Sequence, residues 1–127
     1  MKSIIMYFWQ LPQNILGLLL IIVLKLTNNI KRKGIYNKKH IYYLSKPIFY
    51  GISLGNYIII YNGYKKTLKH EYGHCKQSEY LGFLYLFVVG LPSITMNVLS
   101  TLKILKEKNY YERWPENWAD KLGNVNR

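Results

Sequence analysis

An α+β fold, mostly helical, with a small antiparallel sheet packed on an active-site helix, is predicted by three observations. His70-Glu71-Tyr72-Gly73-His74 spells H-E-x-x-H, a pattern that works only on a helix. The stretch before it, Pro47 to Tyr61, is rich in Ile, Tyr and Phe and ends at the Asn62-Gly63 turn signal, so it reads as a bent strand or a pair of strands. A third segment, Glu116 to Asp120, follows a proline suited to a helix's first turn. With 127 residues the chain makes one domain with a single modest core.

The elements follow in order. Residues 4 to 24 carry no charge, and their second half, Ile15 to Leu24, is strongly apolar, with Pro12, Gln13 and Asn14 interrupting the first. Twenty-one helical residues reach about 31 Å, enough to cross a bilayer core. A Lys and Arg cluster follows, so residues 1–26 are expected to contact a membrane, with the rest of the chain on the cytoplasmic side. The alternatives are a helix packed on the domain or lying in the interface, and a soluble cytoplasmic protein. Residues 27–46 are polar and basic and are expected to form a loop. Thr67 can cap the next helix, which carries His70, Glu71 and His74 and runs to about Tyr80.

Tyr80 to Leu102 is again uncharged. A crossing there would put the motif helix and the Glu116 segment on opposite sides of a bilayer. Gly90, Pro92 and Ser93 also divide it. It is therefore expected to be a buried connector and a core helix from about Ser93 to Lys106, or a re-entrant hairpin.

Charge is distributed unevenly. The net charge is +12, and Glu71 is the first acid in the chain. Such a balance suits an anionic surface. Nucleic acid is not expected as a partner, because no basic helix or RNA-binding motif accompanies the charges. Cys75 is the only cysteine, which rules out an internal disulfide and a two-cysteine metal site. It is expected to be a small buried side chain.

Two imidazoles four residues apart on one helical face can bind one Zn2+ ion, and the intervening Glu71 can take a proton from water. A third protein ligand is needed. A histidine six residues after His74 would supply one, but position 80 is Tyr, and His40 sits in the basic stretch. Glu116 and Asp120 are the better candidates. They are four apart on one helical face, so one can bind the metal while the other accepts an N–H from a ligating histidine. Glu112 precedes Pro115 and is expected to point elsewhere.

HEYGH at 70 to 74 followed by ENWAD at 116 to 120 resembles the gluzincin clan of zinc metallopeptidases, in its E-N-x-A-D form most like the neprilysin branch. The match covers roughly residues 54 to 123 and includes Gln77, Ser78, Leu81, Gly82, GLPS at 90 to 93 and RWPENWADKLG at 113 to 123, a frame similar to small bacterial proteins. The resemblance implies a zincin-like domain over residues 47–127 that hydrolyses peptide bonds in a peptide or protein substrate. It implies His70, His74 and Glu116 as zinc ligands, Glu71 as general base and Asp120 as the residue that orients a ligand histidine. It also implies a substrate-binding rim strand, placed at Asn56, Tyr57, Ile58, Ile59 and Ile60. Larger clan members stabilise the transition-state oxyanion with further residues. Here Tyr110, Tyr111 and Arg113 are the ones near the glutamate helix. The alternative function is a non-catalytic, membrane-associated zinc-binding or interaction protein on the same scaffold, with a closed fourth position filled by a side chain such as Cys75.

Overall fold

A computed structural model describes residues 2–48, 51–61, 65–102 and 114–125. The fold is α+β: helices dominate, around one small sheet. Helix α1 (Lys2–Trp9) breaks at Gln10, whose backbone leaves the helical region, and α2 (Leu11–Leu26) begins with Pro12 in its first turn. The Thr27 hydroxyl donates to Val23 O, and Asn28 turns out of α2 in the left-handed region at φ 57°.

Residues 27–46, expected as a basic loop, fold into a hairpin instead. Strands β1 (Ile30–Tyr36) and β2 (Lys39–Leu44) pair antiparallel across Asn37-Lys38, both at positive φ. That turn matches the twist of the two strands without a glycine to signal it. Lys31, Arg32 and Lys33 are exposed on an edge strand, where charge discourages pairing with other chains.

Strands β3 (Gly51–Leu54) and β4 (Tyr57–Ile60) form the second hairpin, turning at Gly55 with φ 66°. The four strands order as β1-β2-β4-β3, with β2 and β4 parallel, so the small sheet is mixed rather than wholly antiparallel. The run Tyr57-Ile58-Ile59-Ile60 is buried throughout, as an unbroken apolar strand should be when both sheet faces are covered. Tyr57 and Ile59 pack with Ile21, Leu24 and Leu44 under α2. Ile58 and Ile60 pack with Ile41 and Cys75 under α3 (Lys65–Leu81). Thr67 lies inside α3 rather than at its cap.

The interruption at residues 12–14 ties α2 to α3. Gln13 Nε2 donates to Ser78 Oγ at 2.8 Å and to Gly82 O at 2.8 Å, and Ser78 donates to Gln10 Oε1 at 2.6 Å. Asn14 holds the β3–β4 turn by accepting the Asn56 N–H at 2.8 Å. Among the described residues no helix is long and apolar enough to cross a membrane.

After α3 the chain makes a 3-10 turn (Gly82–Leu84), a wide π-helical turn (Leu86–Gly90) and α4 (Leu91–Thr101). This corrects the expected buried connector and core helix. Tyr85, Val89 and Met96 face inward, but Phe83, Phe87, Leu91, Ile94 and Val98 are exposed. The sheet and α3 already fill the interior, so this segment covers one side only. The expected continuation of α4 to Lys106 lies outside the described residues. Helix α5 (Glu116–Gly123) starts after Pro115 and ends at Asn124, left-handed at φ 63°.

A candidate metal centre between two motif helices

Helices α3 and α5 pack at unusually short range because the facing positions lack side chains. A Cβ on Gly73 would lie 1.8 Å from Ala119 O, and one on Gly123 would lie 1.9 Å from Lys69 O. At that separation the side chains of His70 and His74 on α3 meet those of Glu116 and Asp120 on α5.

His70 Nε2 and His74 Nε2 are each 2.8 Å from the same atom, Glu116 Oε2. His70, His74 and Glu116 are all buried, and one ligand atom from each lies within 4.8 Å of the others, so the three can hold a metal ion. Each imidazole is held by its other nitrogen. His70 Nδ1–H donates to Asp120 Oδ1 at 2.7 Å, and His74 Nδ1–H donates to Gln77 Oε1 at 2.7 Å. The Gln77 amide is oriented by its own Nε2–H, which donates to Pro115 O at 3.0 Å. Fixing Nδ1–H in this way leaves Nε2 as the donor nitrogen for a cation. Ser93, on α4, donates to Glu116 Oε1 at 2.5 Å and so holds that carboxylate from the other side.

The electrostatics match a site built for positive charge. Burial pulls the His70 proton affinity down, but the hydrogen bonds to Asp120 and Glu116 outweigh it and raise the group to about 9. Burial would raise the Glu116 carboxyl, but the hydrogen bonds from His70 and His74 hold it well below the usual range. Both His70 nitrogens thus face carboxylate oxygens, Nδ1 at Asp120 Oδ1 and Nε2 at Glu116 Oε2.

Glu71 lines a cleft of about 540 Å³. Ser53 Oγ lies 2.8 Å from Glu71 Oε1 and 2.7 Å from Glu71 O. Gly51 leaves room for the carboxylate, since a Cβ there would sit 2.9 Å from Glu71 Oε2. His74, Ser93 and Tyr85 also line the cleft, while most of its wall is apolar: Leu16, Leu54, Leu91, Ile94 and Val98.

Several expected residues lie elsewhere. Asn56 and Tyr57–Ile60 do not form a free rim. The backbone of β4 is paired on one side with β2 and on the other with β3. The strand at the cleft is β3, from Gly51 to Leu54. Its less apolar sequence marks an outer strand, whereas four consecutive buried apolar residues mark an inner one. Tyr110, Tyr111 and Arg113, and Glu112 with them, lie outside the described residues. His40 is exposed on β2, stacked on Tyr57, away from the cluster. Cys75 faces the sheet in the core, its thiol pushed up to about 12 by burial.

Sequence reasoning did not assign three of the residues now at the site. Gln77 and Ser93 fall inside the QS-x-x-LG and GLPS frames, which carry no chemical signature. Gln77 could have been found as a polar residue three positions after a ligand histidine, on the same helical face. Tyr85 enters the cleft from a turn no spacing rule anticipates. Comparisons with protein-family models, curated proteins and solved structures find no match to the chain.

Proposed function

We propose that the chain is a small zinc-dependent metallopeptidase of the gluzincin type. The observation that carries this reading is the convergence of His70 Nε2, His74 Nε2 and Glu116 Oε2 beside the cleft-lining Glu71. Two imidazole nitrogens and one carboxylate oxygen form a donor set that suits zinc. Both Nδ1 atoms are already committed to oxygen acceptors, so the residues fit the ion.

A bound zinc supplies acidification of water and polarisation of a carbonyl. The chain's residues do the rest. Glu71, held by Ser53, accepts a proton from water in the cleft and returns it to the departing amine. Asp120 and Gln77 keep the two imidazoles in the ligating tautomer. An extended substrate lies along β3, where backbone pairing supplies affinity and the apolar cleft wall supplies side-chain selection. Cys75 stands outside the ligand cluster, which supports an open fourth position over a closed structural site.

The test is elemental analysis beside a peptide-library cleavage screen. About one zinc per chain is expected, lost in Glu116→Ala and kept in Glu71→Gln, with hydrolysis in Glu71→Gln reduced by about 10²–10⁴. Undiminished cleavage by a clean Glu71→Gln preparation would remove Glu71 from the mechanism. Absence of metal in the unmutated protein after loading with zinc would remove the whole reading.

A further inference from the structure

The outer surface of α1, α2 and the 82–102 segment is apolar and uncharged to a degree a water-facing surface does not need. On α1 and α2, Ile5 is 64% exposed and Leu19 54%. On the connector, Phe87 is 74% exposed and Leu91 61%. Neither stretch contains a charged residue between Ile4 and Leu24 or between Tyr80 and Leu102.

The two stretches meet. Trp9 contacts Phe83 with ring centroids 5.8 Å apart, Trp9 Nε1–H donates to Glu79 O, and Gln13 bonds to Gly82 O. Further along, Leu16 of α2 and Leu91, Ile94 and Val98 of α4 line the same cleft. They therefore make one continuous patch, larger than scattered surface hydrophobics explain.

Its rim is basic. Lys25 ends the uncharged run of α2, with Nζ 5.3 Å from the Tyr42 ring centroid. Lys33 pairs with the same Tyr42 across the hairpin, so it lies on the α2 side of the sheet. The first 70 residues contain no acid to offset them.

We propose that this face seats the protein on the surface of an anionic lipid bilayer, with α1 and α2 lying in the headgroup plane rather than crossing the membrane. Charge selects this occupant over a second copy of the chain. Two copies joined through this face would bring two like-charged rims together, each on a molecule of net charge +12. Anionic headgroups complement those lysines while the acyl boundary takes the apolar side chains. On the proposed peptidase reading, the cleft then opens beside the bilayer, so a substrate reaches Glu71 from the lipid surface.

The test is flotation of the purified chain with vesicles of neutral phosphatidylcholine, or of the same lipid with about 30% phosphatidylglycerol. Flotation with the anionic vesicles is expected, weaker by about tenfold or more with neutral ones. A double variant, Leu19→Asp with Phe87→Asp, is expected to abolish flotation while its circular dichroism and melting remain those of the parent. Should that variant misfold, Lys25→Ala with Lys33→Ala provides the second arm, weakening anionic binding and flattening its salt dependence. Flotation unaffected by either pair, or none with anionic vesicles, overturns the proposal. So does a salt-stable dimer that Leu19→Asp with Phe87→Asp dissolves. Zinc content, measured on the same samples, reports separately on the metal centre.

Discussion

Gly73 and Ala119 touch so closely that a methyl group on Gly73 would stand 1.8 Å from the Ala119 carbonyl oxygen. Both belong to motifs, HEYGH and ENWAD, whose named positions are chemical. These two positions are instead steric, because they set the helix separation at which Glu116 reaches two histidines. Gly73→Ala therefore has to push α5 away. A stability loss of about 1–3 kcal/mol or more is expected, with metal binding lost before the fold is. Gly90→Ala is the control, since its nearest neighbour would be 3.6 Å away, an ordinary contact. Melting temperature and zinc content of the two variants decide the matter.

Gln77 and Asp120 hold His74 and His70 by their Nδ1 atoms. Removing either acceptor frees an imidazole to rotate or to change tautomer. Gln77→Leu and Asp120→Ala are each expected to weaken zinc binding by about 10–100-fold. Gln77→Glu keeps an acceptor for His74 but loses the amide N–H that Pro115 O accepts, so it is expected to fall between. Competition titrations against a chromogenic chelator measure all three.

The metal-free protein should respond to pH through the same cluster. Folding raises His70 from 6.5 to about 9, so its contribution is complete below about pH 6.5 and disappears as pH rises past 9. Glu116 is held below its ordinary 4.5, so its contribution is present above that pH and is lost on acidification. Stability without metal therefore peaks between about pH 5 and 6.5 and falls towards pH 9, with a drop in Tm of roughly 5–10 °C. A zinc ion bound as proposed would displace the His70 Nε2 proton, so its stabilisation is expected to grow over the same rise. Thermal melts with a chelator and with zinc, at half-unit pH steps, test both slopes. A chelated protein that melts higher at pH 9 than at pH 6 would contradict the His70 assignment.

What the sequence exposes and what it hides separates along one physical line. His70, Glu71 and His74 are readable because helical geometry encodes their convergence locally, and the Glu116–Asp120 spacing repeats that logic on a second helix. The α+β class follows from the same elements. Residues 27–46 are misread because Lys31, Arg32 and Lys33 belong to a solvent-facing edge strand, where charge is as natural as in a loop. Lys39 shows the harder limit. It looks like one more basic residue, yet it is 5% exposed and pairs with Glu79 at 2.8 Å and Asn56 at 3.0 Å. That pairing joins positions 40 residues apart, which no local pattern records. Strand order hides for the same reason. The Tyr57–Ile60 run announces a strand but not that β2 and β3 flank it.

On the peptidase reading, Tyr85 offers a hydroxyl at the cleft, the kind of group expected of Tyr110 and Tyr111, which lie outside the described residues. It is 3% exposed, lines the cleft with Glu71 and His74, and its O–H lies 3.4 Å from Ser53 O. Burial, reinforced by the negative charge of Glu71 and Glu116, raises its phenol well above the ordinary 10, so it stays an O–H donor at any working pH. A donor that faces a reacting carbonyl stabilises the developing oxyanion, and losing one such donor costs about 10²–10³ in kcat. Tyr85→Phe keeps the ring and its packing. It is expected to bind zinc and melt like the parent while losing turnover by that factor, with KM little changed. A Tyr85→Phe protein as active as the parent would leave the phenol a packing role alone. Loss of zinc in that variant would place the hydroxyl among the groups that hold the metal centre together. Steady-state kinetics on a cleaved library peptide, beside the zinc content of the same sample, separates these outcomes.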